Sequence, residues 1–189
     1  MEYEGYMRIL VDMDGVISDF DVEFLQRWKA RHPDKPYIAL EDRKSFYVRD
    51  DYPDELKPLV VEILLESSFF EDMVPVPGAR EALEEMEANG FEVFICSSPL
   101  STYNNCVLEK YKWVEKFIGP NWVKKIILTK DKTLVKADYL IDDKPFISGV
   151  ENNPAWEHIL YDRTYNRHVQ KRRVTWETWK DVLLPNARV

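Results

Sequence analysis

The sequence is poor in several things, and each shortage excludes something. Only two cysteines, Cys96 and Cys106, occur in 189 residues. That rules out the disulfide framework of small secreted domains, and Cys96, inside the apolar run VFIC, reads as a buried reduced thiol. The three histidines, His32, His158 and His168, have no metal-ligand spacing. Six glycines build neither a Gly-rich phosphate loop nor a dinucleotide fingerprint, and no serine stands in a GxSxG nucleophile elbow. No apolar run approaches the roughly 18 residues of a membrane span. The first residues, MEYEGYM, show neither a signal-peptide core nor an Arg-rich amphipathic presequence. This reads as a cytoplasmic protein, although a mitochondrial one already shorn of its presequence would look the same. Basic charge is also short, with 26 Lys and Arg against 34 Asp and Glu and a net charge of −8. Such a chain has no general attraction for a nucleic acid polymer or an anionic membrane. It can hold a phosphate group only where a metal or a few local cations reverse the field in one cleft.

Apolar residues, by contrast, are plentiful at 45%, enough for the core of one domain with a small inserted module. Met7 to Val11 is a short, nearly continuous apolar run, the pattern of a strand covered on both faces. Phe20, Phe24, Leu25 and Trp28 recur at helical spacing until His32-Pro33, and Leu56, Leu59, Val60, Ile63 and Leu64 predict an amphipathic helix over 54–66. Pro77-Gly78 opens a third helix, which Asn89-Gly90 stops. FEVFICSS, Lys125 to Thr129, Tyr139 to Ile141 and His158 to Tyr161 read as further strands, with a helix over Leu108 to Phe117 and Trp176 and Trp179 packing a C-terminal helix. Strands alternating with helices predict an α/β fold with a Rossmann-like parallel sheet. Residues 20–73 break the alternation and read as a small helical cap inserted after the first strand, leaving 1–19 and 74–189 as the core.

Parallel sheets place their sites at the carboxyl ends of strands, and four strand ends here carry unusual polar residues. The first ends in Asp12-Met13-Asp14-Gly15, the second in Ser97-Ser98-Pro99, the third leads into Thr129-Lys130-Asp131-Lys132, and the fourth ends in Asp142-Asp143-Lys144. Each has an ordinary explanation as an acidic turn, a helix cap or a solvated lysine; their joint placement does not. Asp12 is suited to attack phosphorus as a carboxylate nucleophile, and Asp14 to serve as general acid and then base in a different environment. Adjacent Asp142 and Asp143 repel unless a cation neutralises them. Mg²⁺ takes one or two carboxylates, a carbonyl, waters and phosphate oxygens, so Asp12, the backbone carbonyl of Asp14 and one of Asp142 or Asp143 form a candidate shell. Ser97 and Ser98 offer hydroxyls to a phosphate, and Lys132 offers a point charge. Asp19 reads as the N-cap of the first helix.

The order DMDGV, FICSS, a lysine in TKDKT, then LIDD resembles the four motifs of haloacid dehalogenase superfamily phosphatases. IALEDRKSFYV, FFEDMVPVPGA, VFICSSPL, EKYKWVEKFIGP, ILTKDKT, LIDDKP and WEHIL together resemble the 5′(3′)-deoxyribonucleotidases over about residues 7 to 183. That resemblance implies a Mg²⁺-dependent dephosphorylation of deoxyribonucleoside monophosphates, and it suggests a homodimer. It implies that Asp12 is the nucleophile, Asp14 the acid/base, Asp143 the metal ligand with Asp142 behind it, and Ser97, Ser98 and Lys132 the phosphate holders. It places Lys110 and Lys130 on the phosphate side of the cleft, and Phe20, Phe46, Tyr47 and Val48 around sugar and base. A ribose 2′-hydroxyl pressed unpartnered against such an apolar wall costs about 1–3 kcal/mol, which favours deoxyribose. A same-fold phosphatase for another phosphomonoester and a non-catalytic nucleotide-binding module are the rival readings.

Overall fold

In the computed structural model, which describes residues 6–102 and 104–184, six parallel strands form one sheet in the order β3-β2-β1-β4-β5-β6. They are β1 Arg8–Val11, β2 Glu92–Ser97, β3 Ile126–Leu128, β4 Tyr139–Asp142, β5 Glu157–Tyr161 and β6 Arg173–Val174. The apolar runs read as covered strands are covered: Ile9, Leu10, Val11, Val93, Ile95, Leu140 and Ile141 are all inaccessible to solvent. Strand order reverses between β1 and β4, so the switch-point crevice opens at the carboxyl ends of those two strands. β6 was not foreseen. It begins at the end of the basic run Lys171-Arg172-Arg173, where Arg173 pairs with Asp162 at 2.5 Å and Arg172 with Glu157 at 2.8 Å.

The helices follow the apolar spacing. α1 (Phe20–Arg31) buries Phe24 and Trp28 and stops at His32, before Pro33. α2 (Lys57–Leu64) is shorter than the expected 54–66, because Pro58 sits in its first turn and residues 53–56 form a turn instead. α3 is a single turn, Phe69–Asp72. α4 (Ala79–Ala88) buries Ala79, Ala82, Leu83 and Met86 against the sheet, and α5 (Cys106–Trp113) runs on into a wider π turn over Val114–Ile118. α6 (Trp179–Leu183) is held by Trp179, and Trp176 donates its indole N–H to the Val16 carbonyl at 2.8 Å. Residues 20–73 add no strand to the sheet. Asp19 occupies the N-cap position of α1, yet its side chain caps nothing; it turns instead toward the Arg163 guanidinium, an ion pair at 3.5 Å.

Candidate active site

β1 delivers Asp12 into the crevice, tied in place by its own N–H, which donates to the Ile141 carbonyl of β4 at 2.9 Å. The chain then closes a tight loop. The Met13 carbonyl accepts from the N–H groups of Val16, Ile17 and Ser18 at 3.2, 2.9 and 3.0 Å and from the Ser18 hydroxyl at 3.1 Å. Gly15 adopts φ +77°, and a Cβ there would run into the Asp143 carboxylate. The glycine is therefore required twice, for its backbone angle and for its missing side chain.

β4 ends in Asp142 and continues to Asp143. Both are 2% exposed, and Asp12 is 8% exposed. One carboxylate oxygen from each lies within 4.8 Å of the others, an arrangement able to hold a metal ion. Lys132, carried by the turn after β3, reaches Asp12 and Asp142 at 2.6 Å each. Three carboxylates are crowded in a buried space, and this ammonium touches two of them. Burial, with the neighbouring acids, pushes the Asp143 carboxyl well above the usual range and raises Asp12 as well, despite the attraction of Lys132. Burial also opposes the charge on Lys132, but Asp12 and Asp142 outweigh it and raise its pKa. A divalent cation suits such a carboxylate cluster.

Hydrogen bonding separates the two adjacent acids. Asp142 is saturated, one oxygen taking Lys132 at 2.6 Å and the other the Lys144 N–H at 2.8 Å. Asp143 takes the Tyr165 hydroxyl on Oδ2, while its buried Oδ1 has no partner among the described residues. An unpartnered buried carboxylate oxygen is costly, and it leaves Asp143 Oδ1 able to meet a cation, whereas Asp142 is occupied by Lys132 and the Lys144 N–H.

Asp14 lies in a different environment. Its side chain is 25% exposed, and both its oxygens accept from Lys110 at 2.6 Å. Lys110 comes from α5, has no solvent exposure, and its ammonium stands 4.8 Å from the Phe70 ring centroid. Burial raises the Asp14 carboxyl above its ordinary value, with Lys110 opposing. The two acids of DMDG thus have separate cations, as separate chemical roles require.

The remaining candidates are spread around this centre. Ser97 ends β2 and is 1% exposed, whereas Ser98 is exposed. Lys130 is exposed and donates to the Pro99 carbonyl at 2.6 Å, bracing the serine turn. Phe46 packs edge-on against Tyr165 at 6.1 Å, and Lys144 Nζ stands 5.5 Å from the Phe46 centroid and 5.6 Å from that of Tyr47. These rings therefore stand beside the Asp143 corner, with Tyr47 58% exposed. Phe20 meets Phe69 edge-on at 5.3 Å, and Val48 is buried in the main core. Cys96 is buried, free and pushed up to about 12 by burial, an inert thiol.

Three residues had not been singled out. After β5, Arg163 donates through Nε to the Gly15 carbonyl at 2.7 Å, Tyr165 bonds Asp143, and Asn166 Nδ2 donates to the Asp143 and Tyr161 carbonyls at 2.8 Å each. The signal was present: DRTYN is a fifth polar strand end, of the same kind as the four that drew attention.

The family model described as "5' nucleotidase, deoxy (Pyrimidine), cytosolic type C protein" matches residues 6–188. The chain belongs to this family. A Bordetella pertussis protein assigned to the 5′(3′)-deoxyribonucleotidases is 49% identical over 178 residues, covering 94% of this chain and 95% of that one. The human mitochondrial 5′(3′)-deoxyribonucleotidase is 46% identical (94% of this chain, 82% of that one), and the human cytosolic type is 44% identical (94% and 93%). Among solved structures, a Bacillus subtilis HAD-hydrolase, YfnB, bound to magnesium, superposes with a TM-score of 0.58 at 11% identity (95% of this chain, 99% of that one), a likeness of fold. Among the described residues no helix is long and apolar enough to cross a membrane.

Proposed function

We propose that this protein hydrolyses deoxyribonucleoside monophosphates to nucleoside and phosphate, with Mg²⁺ as its metal. The observation that carries the reading is the pair of carboxylates, Asp12 and Asp14, two residues apart yet served by different lysines. Asp12 attacks phosphorus in line and forms an aspartyl-phosphate, while Asp14 gives its proton to the departing sugar oxygen. Asp14 then takes a proton from water, which hydrolyses the intermediate. Lys132, Lys110 and the Ser97 and Ser98 hydroxyls position the phosphoryl oxygens and offset their charge, the main form of help in phosphoryl transfer. Asp12, Asp143 and the Asp14 carbonyl are the residues that would hold Mg²⁺, which supplies charge neutralisation between nucleophile and phosphate when bound. The magnesium carried by the YfnB structure and the buried carboxylate cluster support that choice of ion.

Residues 20–73 serve as a cap over the core of 1–19 and 74–189, presenting Phe20, Phe46 and Tyr47 to the sugar and base. The test is phosphate release from matched deoxyribo- and ribonucleoside 5′- and 3′-monophosphates, with sugar phosphates alongside. Deoxyribonucleotides should be turned over fastest, and only with added Mg²⁺. Equal turnover of sugar phosphates would sink the nucleotidase reading and leave a general phosphatase.

A further inference from the structure

The turn that carries Phe46 and Tyr47 has no strand to hold it. It is held by side chains, Arg43 above all. Arg43 lies at the base of this turn with its side chain only 3% exposed. Its Nη1 pairs with Asp21 of α1, and its Nε donates to Asp51 at 2.6 Å. Its Nη2 donates to the Ser45 carbonyl at 2.9 Å and the Phe46 carbonyl at 3.4 Å. Asp51 closes the turn from the other side, accepting the Ser45 N–H at 2.9 Å and the Lys44 N–H at 3.3 Å. The Arg43 guanidinium carbon lies over the ring of Tyr165, 5.2 Å from its centroid, and the Tyr165 hydroxyl bonds Asp143.

We infer that Arg43 is a positioning residue for substrate selection: it sets the 45–48 turn, and hence Phe46 and Tyr47, beside the Asp143 corner of the crevice. The inference rests on the proposed hydrolysis of nucleoside monophosphates. Burying an ion triad is a poor route to stability, because apolar side chains of the same volume do as well or better. What an apolar side chain cannot do is bond two successive carbonyls and two carboxylates at fixed angles. The planar fork of arginine can, and a lysine cannot. Arg43 hydrogen-bonds none of Asp12, Asp14, Asp143 and Lys132, so it takes no direct part in the chemistry at phosphorus. The steps there should be indifferent to it.

The experiment compares a deoxyribonucleoside monophosphate, which reaches the turn, with p-nitrophenyl phosphate, whose small leaving group carries no sugar or base. Arg43→Lys should raise KM for the nucleotide by about tenfold with kcat little changed, and leave kcat/KM for p-nitrophenyl phosphate within about twofold of the parent. Asp51→Asn, a gentler change at the same clamp, should act in the same direction by about threefold; it decides the matter if Arg43→Lys does not fold. Equal loss on both substrates, or an unchanged nucleotide KM in the folded variants, overturns the inference. A parent protein that hydrolyses neither compound is a separate result, and it overturns the phosphatase reading on which the inference stands.

Discussion

The floor of the site and its rim are held by opposite means. On the floor, backbone does the holding: Asp12 is tied by its own N–H to Ile141, and Asp142 lies in register with Leu160 inside the sheet. On the rim, the Phe46–Tyr47 turn is fastened by side chains, with Arg43 on one side and Asp51 on the other. Strand ends fix atoms through many shared hydrogen bonds, so a side chain there can be exchanged without moving its neighbours. A turn held by a guanidinium and a carboxylate moves when either changes. The chemistry at phosphorus therefore sits on the part least able to drift, and contact with the rest of the substrate sits on the part most easily retuned.

The largest break in this comparison should come on the floor. Asp12→Asn removes the proposed nucleophile while keeping size and backbone tether, so hydrolysis should fall by about 10,000-fold or more with the fold intact. Phosphate release assayed beside thermal melting checks both halves. Retained turnover would refute the covalent route. Next in size is Gly15→Ala. Its methyl must displace the Asp143 carboxylate and adopt φ +77°, so turnover should drop by about a hundredfold and the melting temperature should fall with it. Here floor and fold fail together, unlike at Asp12.

Tyr165→Phe probes the seam between the two regions. The ring that supports Arg43 and Phe46 remains, and only the hydroxyl on Asp143 is lost. Mg²⁺ affinity, read by calorimetric titration, should weaken about tenfold, while the ratio of nucleotide to p-nitrophenyl phosphate KM stays at its parent value. A changed ratio with unchanged affinity would mean that Tyr165 serves the rim and not the metal corner.

The floor was legible in the sequence because strands advertise themselves. Short apolar runs located β1, β2, β3, β4 and β5, and polar residues directly after them could only lie at one edge of a parallel sheet. Asp12, Asp14, Lys132 and the Asp142–Asp143 pair were found that way. Which of the latter two faces a metal was not a matter of pattern, since it depends on Lys132 and the Lys144 N–H filling Asp142 and only Tyr165 reaching Asp143. The rim was illegible for a related reason. Arg43 stands among Glu41, Asp42 and Lys44 like any surface charge, and its burial follows from Asp21 and Asp51, partners at no helical or strand period. Phe46 and Tyr47 were identified through resemblance, with no periodic signal of their own. Asp19 misled because a cap position is set by backbone geometry, whereas the side chain follows the nearest strong charge, here Arg163.

The smallest effect separates the electrostatics of the floor from those of the rest. Burial raises the carboxyl pKa values of Asp12, Asp14 and Asp143 in the folded protein. A raised carboxylate contributes stability that is full below its unfolded pKa and is lost as pH rises through its folded one. The metal-free protein therefore bears more of the cost of these charges as pH rises, and less of it in mild acid. His158 works the other way: burial, with Lys171 beside it, lowers its pKa to about 4, so its contribution is lost as pH falls from its unfolded value toward 4. A single melting curve mixes these trends, but the shift on adding Mg²⁺ does not, because His158 is present with and without metal. At pH 5 a bound cation must also displace protons from the carboxyls. The Mg²⁺-induced rise in melting temperature should thus be larger at pH 7.5 than at pH 5, by about 2–4 °C for each kcal/mol of difference. Differential scanning fluorimetry at the two pH values measures it. In Asp143→Asn, where the proposed ligand charge is gone, the rise should shrink at both. A rise in the parent protein that is equal at both pH values would show that the buried carboxylates are not what the cation relieves.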